Sequence, residues 1–218
     1  MNRCVSSKRM VDRLATALRV YRSTGLIGVW FGLNHYLLNS DPRNCFLREH
    51  IKTVQRMNDL TVAEIGVWKG DHARTLQNQL DIDHLYLIDS YEDYNGYADL
   101  NEPRSSHRLK HAKREARARL AEYDNITWIE RRSENASDHL SESLDYVYVD
   151  GNHAYEYVLN DIQTYYSLLR PGGVLAGHDF SGEWPGVVEA VVEFSKTEGI
   201  PFRLEDPGTD WFFIKPNE

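Results

Sequence analysis

From Thr61 onward, apolar runs of about five residues alternate with longer segments whose apolar positions recur every three or four residues. Short apolar runs bounded by turn residues predict buried strands, and the longer period predicts helices. The expected order opens with a strand over 61–66, a helix over 71–80, a strand over 84–89, a charged helix over 108–123 and a strand over 126–130. It continues with a strand over 144–150, a helix over 155–169, a strand over 174–179 and a helix over 187–196. Pro171-Gly172-Gly173 is the expected turn into the fifth strand. Two last strands, 201–205 and 211–215, flank a hairpin turn from Asp206 to Asp210. Strands alternating with helices imply parallel pairing through right-handed crossovers, hence an α/β, doubly wound sheet with one antiparallel pair at its end.

The chain before Thr61 has a different pattern. Val5, Met10, Val11, Leu14, Leu18 and Tyr21 recur at helical steps, with Lys8, Arg9, Arg13, Arg19 and Arg22 between them. Such a basic amphipathic helix packs on the main domain or a second subunit, or lies on an anionic membrane. Asp41-Pro42 marks a turn, and residues 44–57 predict a second helix. The organisation expected is a basic helical N-terminal extension, 1–58, followed by a domain over 59–218. The apolar run Gly25–Leu33 is too short for a membrane span, which needs about 20 residues. No small-x-small cleavage site follows it, so it makes a poor signal peptide.

Composition sharpens this division. The 218 residues are 41% hydrophobic and 27% charged, which excludes a disordered chain. A net charge of −8 argues against a nucleic-acid partner. That charge is split: residues 1–60 carry ten Lys/Arg against four Asp/Glu, or +6, and the remainder carries −14. Cys4 and Cys45 are too few for a disulfide scaffold, and no CxxC pair exists to hold zinc. This usage fits a cytoplasmic protein, peripheral to the inner face of the membrane if the basic helix binds lipid.

Ligands of doubly wound sheets sit beyond the carboxyl ends of the strands. The first strand ends in Glu64-Ile65-Gly66-Val67-Trp68-Lys69-Gly70-Asp71-His72, where glycines permit a sharp turn and the next helix offers free N–H groups to an anion. Trp68 occupies the middle glycine position of the GxGxxG fingerprint, which disfavours a nicotinamide-dependent oxidoreductase. The second strand ends at Asp89, placed to accept hydrogen bonds from ribose hydroxyls or to cap a helix. Ser133-Glu134 follow the third strand as a short polar pair. The fourth ends in Asp150-Gly151-Asn152-His153 and the fifth in Gly177-His178-Asp179. As neighbours, these two strands bring Asp150 and Asp179 to one rim. Two carboxylates and an imidazole there make a divalent-metal site or a water-filled polar rim. An imidazole's unperturbed pKa of about 6.5 suits proton abstraction near neutrality, which makes His153 a candidate base.

VAEIGVWKGDHA, LYLIDSY, LDYVYVDGNHAYEYVLNDI and LLRPGGVLAGHDF, in this order, make residues 61–179 resemble class I S-adenosylmethionine-dependent methyltransferases. The likeness is to the metal-dependent O-methyltransferases of the macrocin and mycinamicin sugar type, and more distantly to catechol O-methyltransferase. The resemblance implies a Rossmann-like seven-stranded sheet in the order 3-2-1-4-5-7-6 with the last strand antiparallel. It implies S-adenosyl-L-methionine as cofactor, with Glu64, Gly66, Trp68 and Gly70 in the motif at its methionine end. His72 falls near the methionine carboxylate, Asp89 on the ribose, and Ser133 and Glu134 beside the adenine. Asp150, His178 and Asp179 fall on the metal-ligand positions, and His153 falls on the catalytic base, with Asp150 beside it. Relatives carry an oxygen ligand where His178 stands. Magnesium prefers oxygen, whereas imidazole suits manganese, iron or zinc, so a different metal, a role for His178 outside the ligand set, or chemistry without metal all stay open.

The implied activity is methyl transfer to a hydroxyl of a small molecule, sugar or glycan. The alternative is a binding or scaffold protein that kept the fold without the chemistry. Tyr91, Tyr94 and Tyr97 either pack on the acceptor or on the helix that follows, and Trp184-Pro185-Gly186 is either a lid or an ordinary connection. The extension has three expected roles: subunit contact in a homo-oligomer, cover for the acceptor, or membrane attachment.

Overall fold

The computed structural model describes residues 49–92, 106–140, 143–205 and 209–217. The helix expected over 5–22, the apolar run 25–33, the Asp41-Pro42 turn, both cysteines, Tyr94, Tyr97 and the tip of the 206–210 turn lie outside the described residues.

A short helix, α1 (Glu49–Val54), leads into β1 (Leu60–Ile65) and α2 (Asp71–Gln79). Next come β2 (Ile82–Ile88), α3 (Ser106–Arg119) and β3 (Ile126–Ile129). Two 3-10 turns, Ser133–Asn135 and Ser137–His139, precede β4 (Leu144–Val149). The chain continues through α4 (Tyr155–Leu168), β5 (Leu169–Gly177), α5 (Pro185–Glu198), β6 (Arg203–Leu204) and β7 (Trp211–Ile214). The seven strands form one sheet in the order β3-β2-β1-β4-β5-β7-β6, as expected. β1 to β5 are parallel, and β7 runs antiparallel to both β5 and β6.

Alternation along the strands supplies two cores. Ala63, Ile65, Val147, Val149 and Leu175 face α4 and α5, whose Val158, Ile162, Val187 and Phe194 are buried against them. Leu60, Val62, Leu87, Tyr146 and Tyr148 face the other way with Ile51, Val54, Leu76, Ala116 and Leu120. Helix α1 is therefore part of the second core, so the described body begins before residue 59. His50 ties it down: its ring stacks on Tyr146 at 5.9 Å, and its Nδ1 lies 3.1 Å from Glu205 Oε1.

The turn expected at Pro171-Gly172-Gly173 lies inside β5. Leu144 pairs with Leu169 and Tyr146 with Val174, so the strand starts, bulges outward and resumes. Arg170, within the bulge, reaches Asp145 Oδ1, and the other oxygen of Asp145 accepts the Thr61 N–H at 2.7 Å.

Strand register brings the carboxyl ends of β1, β2 and β4 level: Ile65 pairs with Ile88 on one side and Val149 on the other. The chain can leave β1 there only because residue 66 has no side chain. A Cβ on Gly66 would sit 2.1 Å from the Asp150 carbonyl oxygen, and its φ of +87° is left-handed. Gly66→Ala is expected to destabilise the fold by more than about 3 kcal/mol, from overpacking and backbone strain together. Urea denaturation followed by circular dichroism measures it, and an unchanged midpoint would contradict this crossing.

Candidate functional site

After Gly66 the backbone stays in unusual conformations: Trp68 has φ +51° and Gly70 has φ +74°. Asp89, at the end of β2, holds this turn. Its Oδ2 accepts the Trp68 N–H at 2.9 Å, and its Oδ1 accepts the Tyr91 N–H at 2.8 Å. The charge-assisted bond offsets the cost of a left-handed, non-glycine residue. The Arg108 guanidinium lies 5.3 Å from the centre of the Trp68 ring. An open cleft follows the strand ends, and Gly66, Trp68, Asp89, Ser133 and Asp150 all line it.

Glu64, Gly70, His72 and Glu134 do not line the cleft. Glu64 and His72 are both buried and sit against each other, with Glu64 Oε1 3.5 Å from His72 Nδ1. The His72 ring stacks on Tyr148 at 3.8 Å, on the α2 side of the sheet. Strand alternation explains the separation: Ile65 points into the cleft layer and Glu64 away from it. Glu134 is exposed.

Beyond Asp150 lies an acidic rim with two histidines. His153 Nε2 stands 3.0 Å from Asp179 Oδ2 and 3.7 Å from Asp150 Oδ1. One ligand atom from each of these three residues lies within 4.8 Å of the others, a set able to hold a divalent cation. His178 is turned away from that centre. Its Nδ1 is 2.8 Å from Asp179 Oδ1, and its Nε2 is 3.2 Å from Thr209 Oγ1. The geometry thus puts His153, rather than His178, between the two carboxylates. Asp179 reaches this position with φ +64°, which Asp tolerates better than most residues. Trp184 stacks on the opposite side of the His153 ring at 4.6 Å.

The charges follow from this packing. Burial would lower the His153 pKa, but hydrogen bonds and charge from Asp150 and Asp179 outweigh it and push it up to about 10. Burial opposes ionisation of Asp179, yet its two histidine partners hold it well below the usual carboxylate range. His178 is raised too, because the Asp179 hydrogen bond and the surrounding carboxylates overcome its burial.

Residues 63–180 match the family model described as a methyltransferase domain. The chain belongs to that family. Among curated proteins, an uncharacterized protein of Acanthamoeba polyphaga mimivirus is 23% identical over 197 residues, which is 85% of this chain and 79% of the relative. Solved structures share the methyltransferase fold at low identity. The O-methyltransferase NovP superposes with TM-score 0.58 at 15% identity, over 78% of this chain and 77% of its own. An rRNA methylase from Streptococcus thermophilus gives 0.54 at 15%, over 77% and 94%. SMU.1697c from Streptococcus mutans, solved in complex with SAH, gives 0.56 at 13%, over 76% and 94%.

The cleft wall of this methyltransferase domain also carries polar residues that were not among the site residues expected from sequence, Asn152 and Asp161 among them. Asp161 had a legible signal. With Val158, Ile162 and Tyr165 it falls at three- and four-residue spacing on the buried stripe of α4, where a carboxylate is out of place. Burial pushes its pKa up to about 7, with the Ser133 hydroxyl pulling down and the Glu134 charge adding to the rise.

This shift has a stability consequence. The folded-state pKa lies above the ordinary 3.8, so the unfolded chain gives up this proton first and stability falls as pH rises from about 4 to about 7. Asp161→Asn stays neutral, and it is expected to raise Tm over the wild type at pH 8 by roughly 2–4 °C per kcal/mol relieved. The gain should shrink towards pH 4. Scanning calorimetry at the two pH values tests this, and a variant less stable at both would count against it.

Proposed function

We propose that the protein is an S-adenosylmethionine-dependent O-methyltransferase, acting on a hydroxyl of a small molecule or glycan, with His153 as proton acceptor. The observation that carries this reading is the Asp150–His153–Asp179 cluster, placed directly beside a cleft that runs from the Gly66 turn past Asp89. The family match and the SAH-bound neighbour support the choice of cofactor. Bound in the cleft, S-adenosylmethionine would supply an electrophilic methyl on a sulfonium centre. Asp89, at the end of β2 and on the cleft wall, would accept from the ribose hydroxyls. The carboxylates at the rim favour a cationic sulfur on their side of the cleft.

A hydroxyl is a weak nucleophile until its proton has somewhere to go. His153 Nε2 faces Asp179 and Asp150, and stacking on Trp184 holds the ring in place. Alone with its two carboxylates, the imidazole stays protonated at neutral pH. It becomes a base when other positive charge enters the rim. Asp150 and Asp179 fit a divalent cation, which would supply Lewis acidity at the acceptor oxygen. Imidazolium and metal then compete for one carboxylate pair.

Two measurements test the proposal. Calorimetry with S-adenosylmethionine should show binding; none at millimolar cofactor would sink it. With that binding kept within about threefold, His153→Ala should lower kcat by roughly 10²–10⁴-fold, and near-normal turnover would remove the base assignment. The competition at the rim gives a separate expectation. Titrating Mn²⁺ at pH 7.5 in buffers of different ionisation enthalpy should reveal close to one proton released per ion. Buffer-independent heats would mean that the metal does not displace the His153 proton.

A further inference from the structure

Besides Asp150, which meets the charged rim, the cleft is lined by Ser133, Gly151, Asn152 and Asp161. On this cleft wall two buried polar atoms have no hydrogen-bond partner among the described residues: Asp161 Oδ1 and Asn152 Nδ2. Their residues are 2% and 7% exposed. Asn152 Oδ1 accepts the Ala154 N–H at 2.9 Å, which fixes the amide so that its NH₂ group is the end left to bond elsewhere. Asp161 packs beneath Gly151, where a Cβ would stand 3.8 Å from its Oδ2. Buried polar groups in folded proteins are paired, so two orphans on one cleft wall point to a ligand that pairs them.

We propose that Asp161 recognises the exocyclic amino group of the cofactor's adenine, while Asn152 donates to a neighbouring ring nitrogen. Adenine offers an N–H donor beside a ring-nitrogen acceptor on both of its polar edges, and an acceptor next to a donor is the complementary pair. A carboxyl that keeps its proton near neutrality suits the task, because it is housed beside an uncharged base without a counter-ion. Asp161 thereby supplies the acidic contact that the sequence assigns to exposed Glu134, and Ser133 joins it from the adjoining turn. This inference rests on S-adenosylmethionine being the cofactor.

The test compares S-adenosylhomocysteine with its analogue lacking the 6-amino group, by calorimetry on the full chain. Wild type should bind the analogue about tenfold more weakly, the value of one lost hydrogen bond. Asp161→Ala should weaken S-adenosylhomocysteine about tenfold and show no further loss with the analogue, because the partner of the amino group is gone. Asp161→Asn keeps the shape and an acceptor oxygen, and should keep the preference. Equal binding of both ligands by wild type overturns the assignment and leaves the cofactor reading intact. So does a tenfold preference that survives in Asp161→Ala. Failure of wild type to bind S-adenosylhomocysteine at all overturns both. Should Asp161→Ala not fold, the wild-type comparison and Asp161→Asn decide the matter.

Discussion

The backbone contact between Gly66 and Asp150 is the constraint on which the site depends. β1 and β4 are neighbours, and the chain leaving β1 must pass over the end of β4 at once. With 2.1 Å between a notional Cβ and the Asp150 carbonyl, only glycine allows the crossing. Three consequences follow. The turn after Gly66 needs left-handed residues, one of them Trp68, and therefore needs Asp89 to hold it. The Asp150 backbone is fixed from above by Gly66 and from the side by its N–H bond to the Ile65 carbonyl at 2.8 Å. Its carboxylate is thereby carried to the rim, where β5 delivers Asp179.

That rim poses an electrostatic problem, which His153 solves. Two carboxylates at adjacent strand ends repel each other unless a cation lies between them. The imidazole at 3.0 and 3.7 Å takes that place and gains a proton by doing so. His178 serves the same carboxylate from behind, and its own position is set by Thr209 and by the bond from Trp211 Nε1 to the His178 carbonyl. The antiparallel strand β7 thus does more than close the sheet. It buttresses the residue that steadies Asp179, which links the last element of the chain to the chemistry at β4 and β5.

Most of the fold was legible because its signals are local. The alternation in LDYVYV and the helical spacing in the Tyr155–Leu168 segment each report their own neighbourhood, and the strand order followed from the motif set. The β5 bulge was misplaced because Pro171-Gly172-Gly173 carries the same turn signal whether the chain turns before a strand or within one; only the pairing of Leu144 with Leu169 decides. At the site, sequence placed Asp150, His153 and Asp179 at one rim, since strand ends can be counted. It could not tell which histidine faces inward. That depends on Thr209 and Asp210, which lie more than thirty residues away and compete for the His178 ring. Glu64 and His72 were read as cofactor contacts from motif position, whereas Glu64 alternates with Ile65 on β1 and points to the opposite face, where His72 from the first turn of α2 packs against it.

The same rule of faces explains why Asp161 escaped notice. A residue near a strand end announces itself, because the doubly wound fold directs attention there. Asp161 comes instead from the second turn of α4, on the stripe that packs against the sheet. It reaches the cleft beneath Gly151, whose notional Cβ would stand 3.8 Å from its Oδ2. The acidic character of the domain therefore has two physical origins at one site. Asp179 is held ionised by its histidine partners and gathers positive charge beside Asp150, whereas Asp161 is a carboxyl that burial pushes towards neutrality. A cleft lined by Asp161 and bordered by the Asp150–Asp179 rim suits a ligand that carries both a cationic centre and an uncharged heterocycle.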